Sequence, residues 1–280
     1  MIRISSQNEM QVACRAVRFC YLCGEPLPAR NQQDRKLVCR EHVIPKTLLG
    51  DPPLDRVQRW PVKLDVHKGC DKKYKAGTDD LAALLHCINV HPKEQWPKPK
   101  HIQRLGLSLV RVHSLLGGPS LPAFGNAQKP VSAVWMWVRG IHAALYREYL
   151  PESAPHTILA PVPGFNASAG PSALRQTVER SAIVRAPVEY GVRTGRADGL
   201  SAWGGQVSYE CVWFPPVDEH CGDVWACFWG LIFPGVSTWS RTVLPPGQEC
   251  PWHGLYTTNC LPDGATVLEL PKARLRVEPL

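Results

Sequence analysis

The chain has 280 residues, 44% hydrophobic and 20% charged, with 32 Lys and Arg against 24 Asp and Glu and a formal net charge of +8. This composition fits an ordinary soluble globular protein of one small and one larger domain, and no run of about 18 apolar residues offers a membrane span. A pI near 9.0 favours a polyanionic partner through phosphate neutralisation, although charge alone also describes a solvated basic face.

Residues 1–19 read as a short lead-in or helix, and their mix of Arg, Gln, Asn and Glu lacks the apolar centre of an export signal. Cys20 to Pro28 reads as a knuckle, a C-x2-C-G turn in which Gly24 tolerates positive φ. After a polar loop, Leu37-Val38-Cys39 and Val43-Ile44 predict short β segments around Glu41-His42, with Pro45 ending the second. Asp51 to Arg59 is a Pro-containing loop, Trp60 to Val66 is strand-like, and a helix starts near Cys70. Gly77 is expected to interrupt that helix, because Thr78-Asp79-Asp80 makes a capping sequence before Leu81-Ala82-Ala83-Leu84-Leu85.

The Pro- and Lys-rich stretch Pro92 to Lys100 is the expected domain boundary. It divides the chain into residues 1–95 and residues 96–280. Val131 to Tyr149 reads as a strong helix whose Trp135, Val138, Ile141, His142 and Leu145 form a core face. Leu159 to Pro171 is loop-like, and residues 172–186 fit helix or strand. The aromatic and β-branched runs Val207–Phe214 and Val224–Phe233 predict paired strands around Pro215 to Asp223.

Chemistry concentrates in residues 20–80. Cys20, Cys23, His67 and Cys70 form two pairs of soft and borderline donors with ligand spacing, which fits a closed, structural Zn2+ site. Ligation requires thiolates and neutral imidazole, so such a site adds metal-binding free energy to the folding of a unit with little core. Cys39 is a rival donor without a partner two residues away. The eleven cysteines do not read as a disulfide scaffold in a chain this long, and a reducing cytoplasm is expected. A redox C-x2-C pair is a third, weaker reading.

The sequence C-x2-C, then Glu41-His42-Val43-Ile44-Pro45-Lys46, then His67-x2-Cys70-Asp71-Lys72-Lys73-Tyr74-Lys75, resembles the HNH endonucleases in their zinc-bearing ββα-metal form. The resemblance covers about residues 19–90. It implies an N-terminal ββα-metal module in residues 1–95; with the helix and paired strands read above for residues 96–280, the expected fold is α+β, the larger C-terminal α+β domain having an antiparallel sheet and an unresolved role. It also implies a DNA phosphodiesterase with His42 as general base and Glu41 as ligand of a catalytic Mg2+ or Mn2+, leaving 5′-phosphate and 3′-hydroxyl ends. Asp71 stands where the family usually has Asn, and Asp79 stands where a His is frequent; both carboxylates can still bind the cation. Lys73 and Lys75 are candidate contacts to the substrate phosphate, or ordinary solvated lysines. The alternative is a catalytically inactive zinc module that binds nucleic acid or a protein partner.

Other groupings are weaker. His86, His91 and His101 lack a completing cysteine pair, and Cys250-Pro-Trp-His253 reads better as a turn. The tryptophans beyond residue 200 read as hydrophobic core, with base stacking as the sharper alternative.

Overall fold

The computed structural model describes residues 2–28, 36–48, 61–89, 109–112, 121–124, 128–154, 156–159, 185–214, 226–233, 236–243, 257–260, 266–270 and 273–277. The expected boundary at Pro92 to Lys100 and the groups His91, His101 and Cys250 to His253 lie outside these residues.

The chain opens with strand β1 (Arg3–Ile4) and helix α1 (Gln7–Ala16). Helix α1 starts at a capping box: Glu9 N donates to Ser6 Oγ at 3.3 Å, and Ser6 N donates to the Glu9 carboxylate at 3.0 Å. Met10, Ala13 and Cys14, at i, i+3 and i+4, form its buried face. Strands β2 (Val38–His42) and β3 (Lys63–His67) pair antiparallel, from Val38 opposite His67 to His42 opposite Lys63. Helix α2 (Lys68–Asn89) leaves the end of β3 directly.

Two local expectations change. Helix α2 runs through Gly77 without a break, and the Thr78 hydroxyl donates to the Lys75 carbonyl at 3.0 Å instead of capping a new helix. A Cβ at Gly77 would meet nothing, so the glycine sits in open space and forces no turn. Val43 and Ile44 are bends after β2, and both are buried in the core. Apolar β-branched residues there serve packing rather than a second strand.

Beyond the hairpins β4 (Leu109–Val112) and β5 (Leu121–Phe124) comes helix α3 (Gln128–Tyr146), then β6 (His156–Leu159), and a helix α4 over residues 185–193. Strands β7 (Asp198–Ala202), β8 (Val207–Phe214), β9 (Ala226–Phe233) and β10 (Val236–Val243) follow. They join β1 and β6 in a mixed six-stranded sheet of order β1-β7-β8-β9-β10-β6, in which only β1 and β7 pair in parallel. The expected pairing of the 207–214 and 226–233 runs is present, from Ser208 opposite Ile232 to Phe214 opposite Ala226. Strands β11 (Thr257–Cys260), β12 (Thr266–Leu270) and β13 (Ala273–Val277) make an antiparallel meander. The fold is mixed α and β with a largely antiparallel sheet. Among the described residues no helix is long and apolar enough to cross a membrane.

Helix α3 is the centre of the packing. Residues 133–146 are buried on every side, as expected of a helix apolar all round. One side meets the sheet, where His142 and Tyr146 lie against Trp213. The other meets the N-terminal elements so closely that a Cβ on Gly140 would fall 2.5 Å from Val43 Cγ1. One hydrophobic cluster therefore runs from Ile4 and Met10 through Leu64 and Leu81 to Trp137 and Leu231.

Candidate metal centre and adjoining active site

Cys20 and Cys23 are presented by a tight turn. Cys23 N and Gly24 N both donate to the Cys20 carbonyl, at 3.2 and 2.7 Å, and Gly24 takes φ +83°. A side chain at Gly24 would be strained by that backbone and would also meet the Tyr149 ring at 2.9 Å. The turn is held from α3: buried Arg139 donates from Nη2 to the Leu22 carbonyl at 3.1 Å and from Nε to the Leu150 carbonyl at 2.8 Å. His67 closes β3 and Cys70 lies in the first turn of α2, so the strand-to-helix junction delivers the second pair of donors.

The four donor atoms of Cys20, Cys23, His67 and Cys70 all lie within 4.8 Å of one another. Cys23 Sγ and His67 Nδ1 are 3.4 Å apart, close to the ~3.6 Å edge of a tetrahedron built with zinc–sulfur and zinc–nitrogen bonds of ordinary length. The cluster can therefore hold a metal ion through three sulfurs and Nδ1. Burial, followed by the crowding of Cys20 and Cys23, pushes the Cys70 thiol up to about 12, and burial raises Cys20 as well. Three thiolates resist being brought together, and a divalent cation reverses that.

The hairpin separates what the sequence places side by side. Residues of a strand alternate between faces, so Cys39 and Glu41 share the face of buried Leu64 and Val66 and point to α2. Asp71, Lys75 and Asp79 recur every fourth residue along α2 and form one stripe opposite them. Glu41 and Asp71 share a hydrogen bond, and Lys75 Nζ lies 3.6 Å from Glu41 and 4.0 Å from Asp71. Burial, then that hydrogen bond and the Asp71 charge, push the Glu41 carboxyl up to about 7; burial also raises Asp79. Lys75 is the positive charge among these carboxylates; among the described residues, the group whose donor atoms converge within 4.8 Å is the Cys20, Cys23, His67 and Cys70 cluster, and Asp71 and Asp79 stand two turns apart on α2.

His42 lies on the other face, with Arg40 and Lys63. Its ring stacks on Trp203, centroids 6.0 Å apart and planes at 22°, and its Nε2 is buried without a hydrogen-bond partner. Burial, then the charges of Lys63, Lys46, Lys75 and Arg40, lower its pKa to about 4, so the imidazole is neutral at physiological pH. Trp203 takes φ +54° ahead of Gly204 at +66° and Gly205 at +86°, and its buried Nε1 also lacks a partner. A non-glycine residue in the left-handed region is strained, and tertiary packing must hold it there.

The structure thus brings together the four sulfur and nitrogen donors, and separately Glu41 and Asp71 beside Lys75, with Asp79 two turns further along α2 and not converging with them. His42 stands across the hairpin from that acidic stripe, with Lys75 acting electrostatically on both. Lys73 points elsewhere: its Nζ donates to Tyr74 Oη at 2.7 Å, and that hydroxyl donates to Glu152 at 2.6 Å. Cys39 interacts with Asp71 rather than joining the metal cluster. Trp203 and Arg139 were not singled out from the sequence. A Trp-Gly-Gly triplet is a legible signal for a special turn, whereas nothing local marks Arg139. Comparison with protein-family models, curated proteins and solved structures finds no match to this chain.

Proposed function

We propose that the chain is a metal-dependent endonuclease of the HNH type that hydrolyses phosphodiester bonds in DNA. Support comes from one arrangement: the paired strands β2 and β3 with α2 leaving the end of β3, a four-donor cluster at one end, a carboxylate stripe on the α2 side, and His42 among cations beside it. In this reading the Cys20, Cys23, His67 and Cys70 cluster holds a structural zinc that fixes the hairpin to the start of α2. Glu41, Asp71 and Asp79 hold a catalytic magnesium or manganese ion. That ion, when bound, neutralises charge on the phosphate and on the departing 3′ oxygen.

His42 accepts a proton from water as the water oxygen forms its bond to phosphorus and the phosphorus–O3′ bond breaks. Trp203 limits rotation of the imidazole, and Lys46, Lys63 and Arg40 draw the phosphate toward it. Products carry 5′-phosphate and 3′-hydroxyl ends. Plasmid nicking with magnesium or manganese tests this. Wild type is expected to cut, and His42→Ala to lose about 10²–10⁴-fold in rate; equal cutting by both, or none by either, removes the reading.

A second reading, an inactive zinc module that binds nucleic acid or a protein partner, is favoured by two observations. Lys75 already balances Glu41 and Asp71, and Nε2 of His42 faces the interior. Absence of cutting with retained DNA binding selects it.

A further inference from the structure

A cavity of about 250 Å³ lies between α1 and the hairpin, over the buried Met10. Its α1 wall is Gln7, Gln11 and Arg15, spaced by four residues and exposed along one stripe; its hairpin wall includes Arg40 and Lys63. Among the described residues no carboxylate lines it. Asp65 stands opposite Arg40 in the hairpin register, and among the described residues no ion pair is shown for Arg15, Arg40 or Lys63. Three cations around one concavity outnumber that carboxylate and leave a positive potential there. The crowding is felt by the residues themselves: burial, then Lys46 and Arg40, lower the Lys63 pKa.

We propose that this groove is a backbone site for nucleic acid, in which Arg15, Arg40 and Lys63 bind phosphates of the strand. The proposal rests on the nuclease reading for its ligand, because Lys63 stands directly opposite His42 in the hairpin register and so places the groove beside the imidazole. Arg15 and Arg40 extend the positive track away from that point. The Gln7 and Gln11 amides, each both donor and acceptor, can bond sugar and base edges alongside it. A chain of regularly spaced phosphates matches such a track, and the formal net charge of +8 is consistent with a polyanion.

The test is fluorescence anisotropy of a labelled DNA duplex with the full zinc-loaded chain, without added magnesium, over a salt series. Arg15→Gln with Arg40→Gln is expected to weaken binding about tenfold and to flatten the log–log salt slope by about 2, the loss of two phosphate contacts. The charge-matched pair Arg147→Gln with Arg193→Gln, on other surfaces, is expected to leave the slope within about 0.5 of wild type, on the same counterion argument. Both arginines of the groove are exposed, so unaltered melting curves and zinc content confirm that the variant remains folded.

Unchanged affinity and slope in the groove variant overturn the proposal, as does equal loss in the charge-matched pair. Displacement of DNA by poly-glutamate as readily as by unlabelled DNA also overturns it, since the groove then binds acidic polymers in general. Plasmid nicking reads the nuclease reading separately: loss of binding in the groove variant with a wild type that never cuts leaves the groove standing and removes the enzyme.

Discussion

Glu41 and His42 are joined by one peptide bond, yet they occupy opposite electrostatic worlds on the two faces of the β2–β3 hairpin. Toward α2, burial and a neighbouring carboxylate drive Glu41 up to about 7. Toward α1, burial, the cations Lys63, Lys46 and Arg40, and Lys75 from across the hairpin drive His42 down to about 4. Both shifts favour the uncharged form and in both burial is the first cause, followed for Glu41 by the Asp71 hydrogen bond and charge and for His42 by like charge. The two faces therefore lack opposite things. One is short of positive charge and the other of negative charge, and the proposed nuclease would meet these demands with a divalent cation and a phosphodiester. Strand alternation is the device that keeps these demands a few ångströms apart without letting them cancel.

The most severe way to break this comparison is to remove the cluster that anchors both strands to α2. Cys70→Ser is expected to lose bound zinc and about 5 kcal/mol or more of stability, since metal binding and folding are coupled. Zinc per chain and thermal melting check it. A wild type holding about one zinc per chain is the expected reference, and a chain with none that melts normally rejects a metal at this position.

A smaller effect comes from the packing under His42. Gly140→Ala puts a methyl group where Val43 already stands, at 2.5 Å, and is expected to cost about 1–3 kcal/mol through overpacking. Denaturant unfolding measures it. An unfolding midpoint equal to wild type contradicts a hairpin seated on α3 as described.

His142 sharpens the contrast because it is a buried imidazole without a ring of cations. It packs against Tyr146 and Trp213, near Asp198 and Cys211, and burial alone lowers its pKa to about 3. Since the folded value lies below the ordinary 6.5, the unfolded chain binds the proton first. Its contribution to stability is complete above pH 6.5 and declines as pH falls toward 3, by at most about 1.4 kcal/mol per pH unit. His142→Phe should flatten the wild-type melting profile between pH 6.5 and 4. A profile of unchanged slope contradicts a neutral, buried His142.

The mildest change addresses the acidic face. Lys75 is half-exposed, so solvent screening reduces its pairing with Glu41 and Asp71 to about 0.5 kcal/mol. Lys75→Gln is expected to melt slightly lower than wild type and to regain the difference on adding millimolar magnesium or manganese. No response to either ion argues against a cation site among Glu41, Asp71 and Asp79.

The legible parts of the site were those governed by short separations. C-x2-C spacing announces a ligand turn, a Cys three residues after a His at a strand end announces the second pair, and the aromatic runs near residues 210 and 230 announce paired strands. The Gly77 expectation shows the limit of such reasoning. A capping sequence is competent to start a helix, but Thr78 and Asp80 are buried in the middle of α2, and packing favours a continuous helix over a local cap. Lys73 and Lys75 looked equivalent on the chain. Two residues of helix rotate one to Tyr74 and Glu152 and the other to Glu41 and Asp71.

By itself the amino-acid sequence determined the donor set, the adjacency of Glu41 and His42 and the core character of α3, because these follow from backbone periodicity and nearest-neighbour chemistry. Only the tertiary structure decided that Trp203 covers His42, that Arg139 reaches 117 residues back to the Leu22 carbonyl, and that β1 enters the sheet beside β7. Contacts so distant along the chain carry no local signature. They depend on how the whole core closes around α3, and that packing decides which groups lose water and thereby which charges the site can keep.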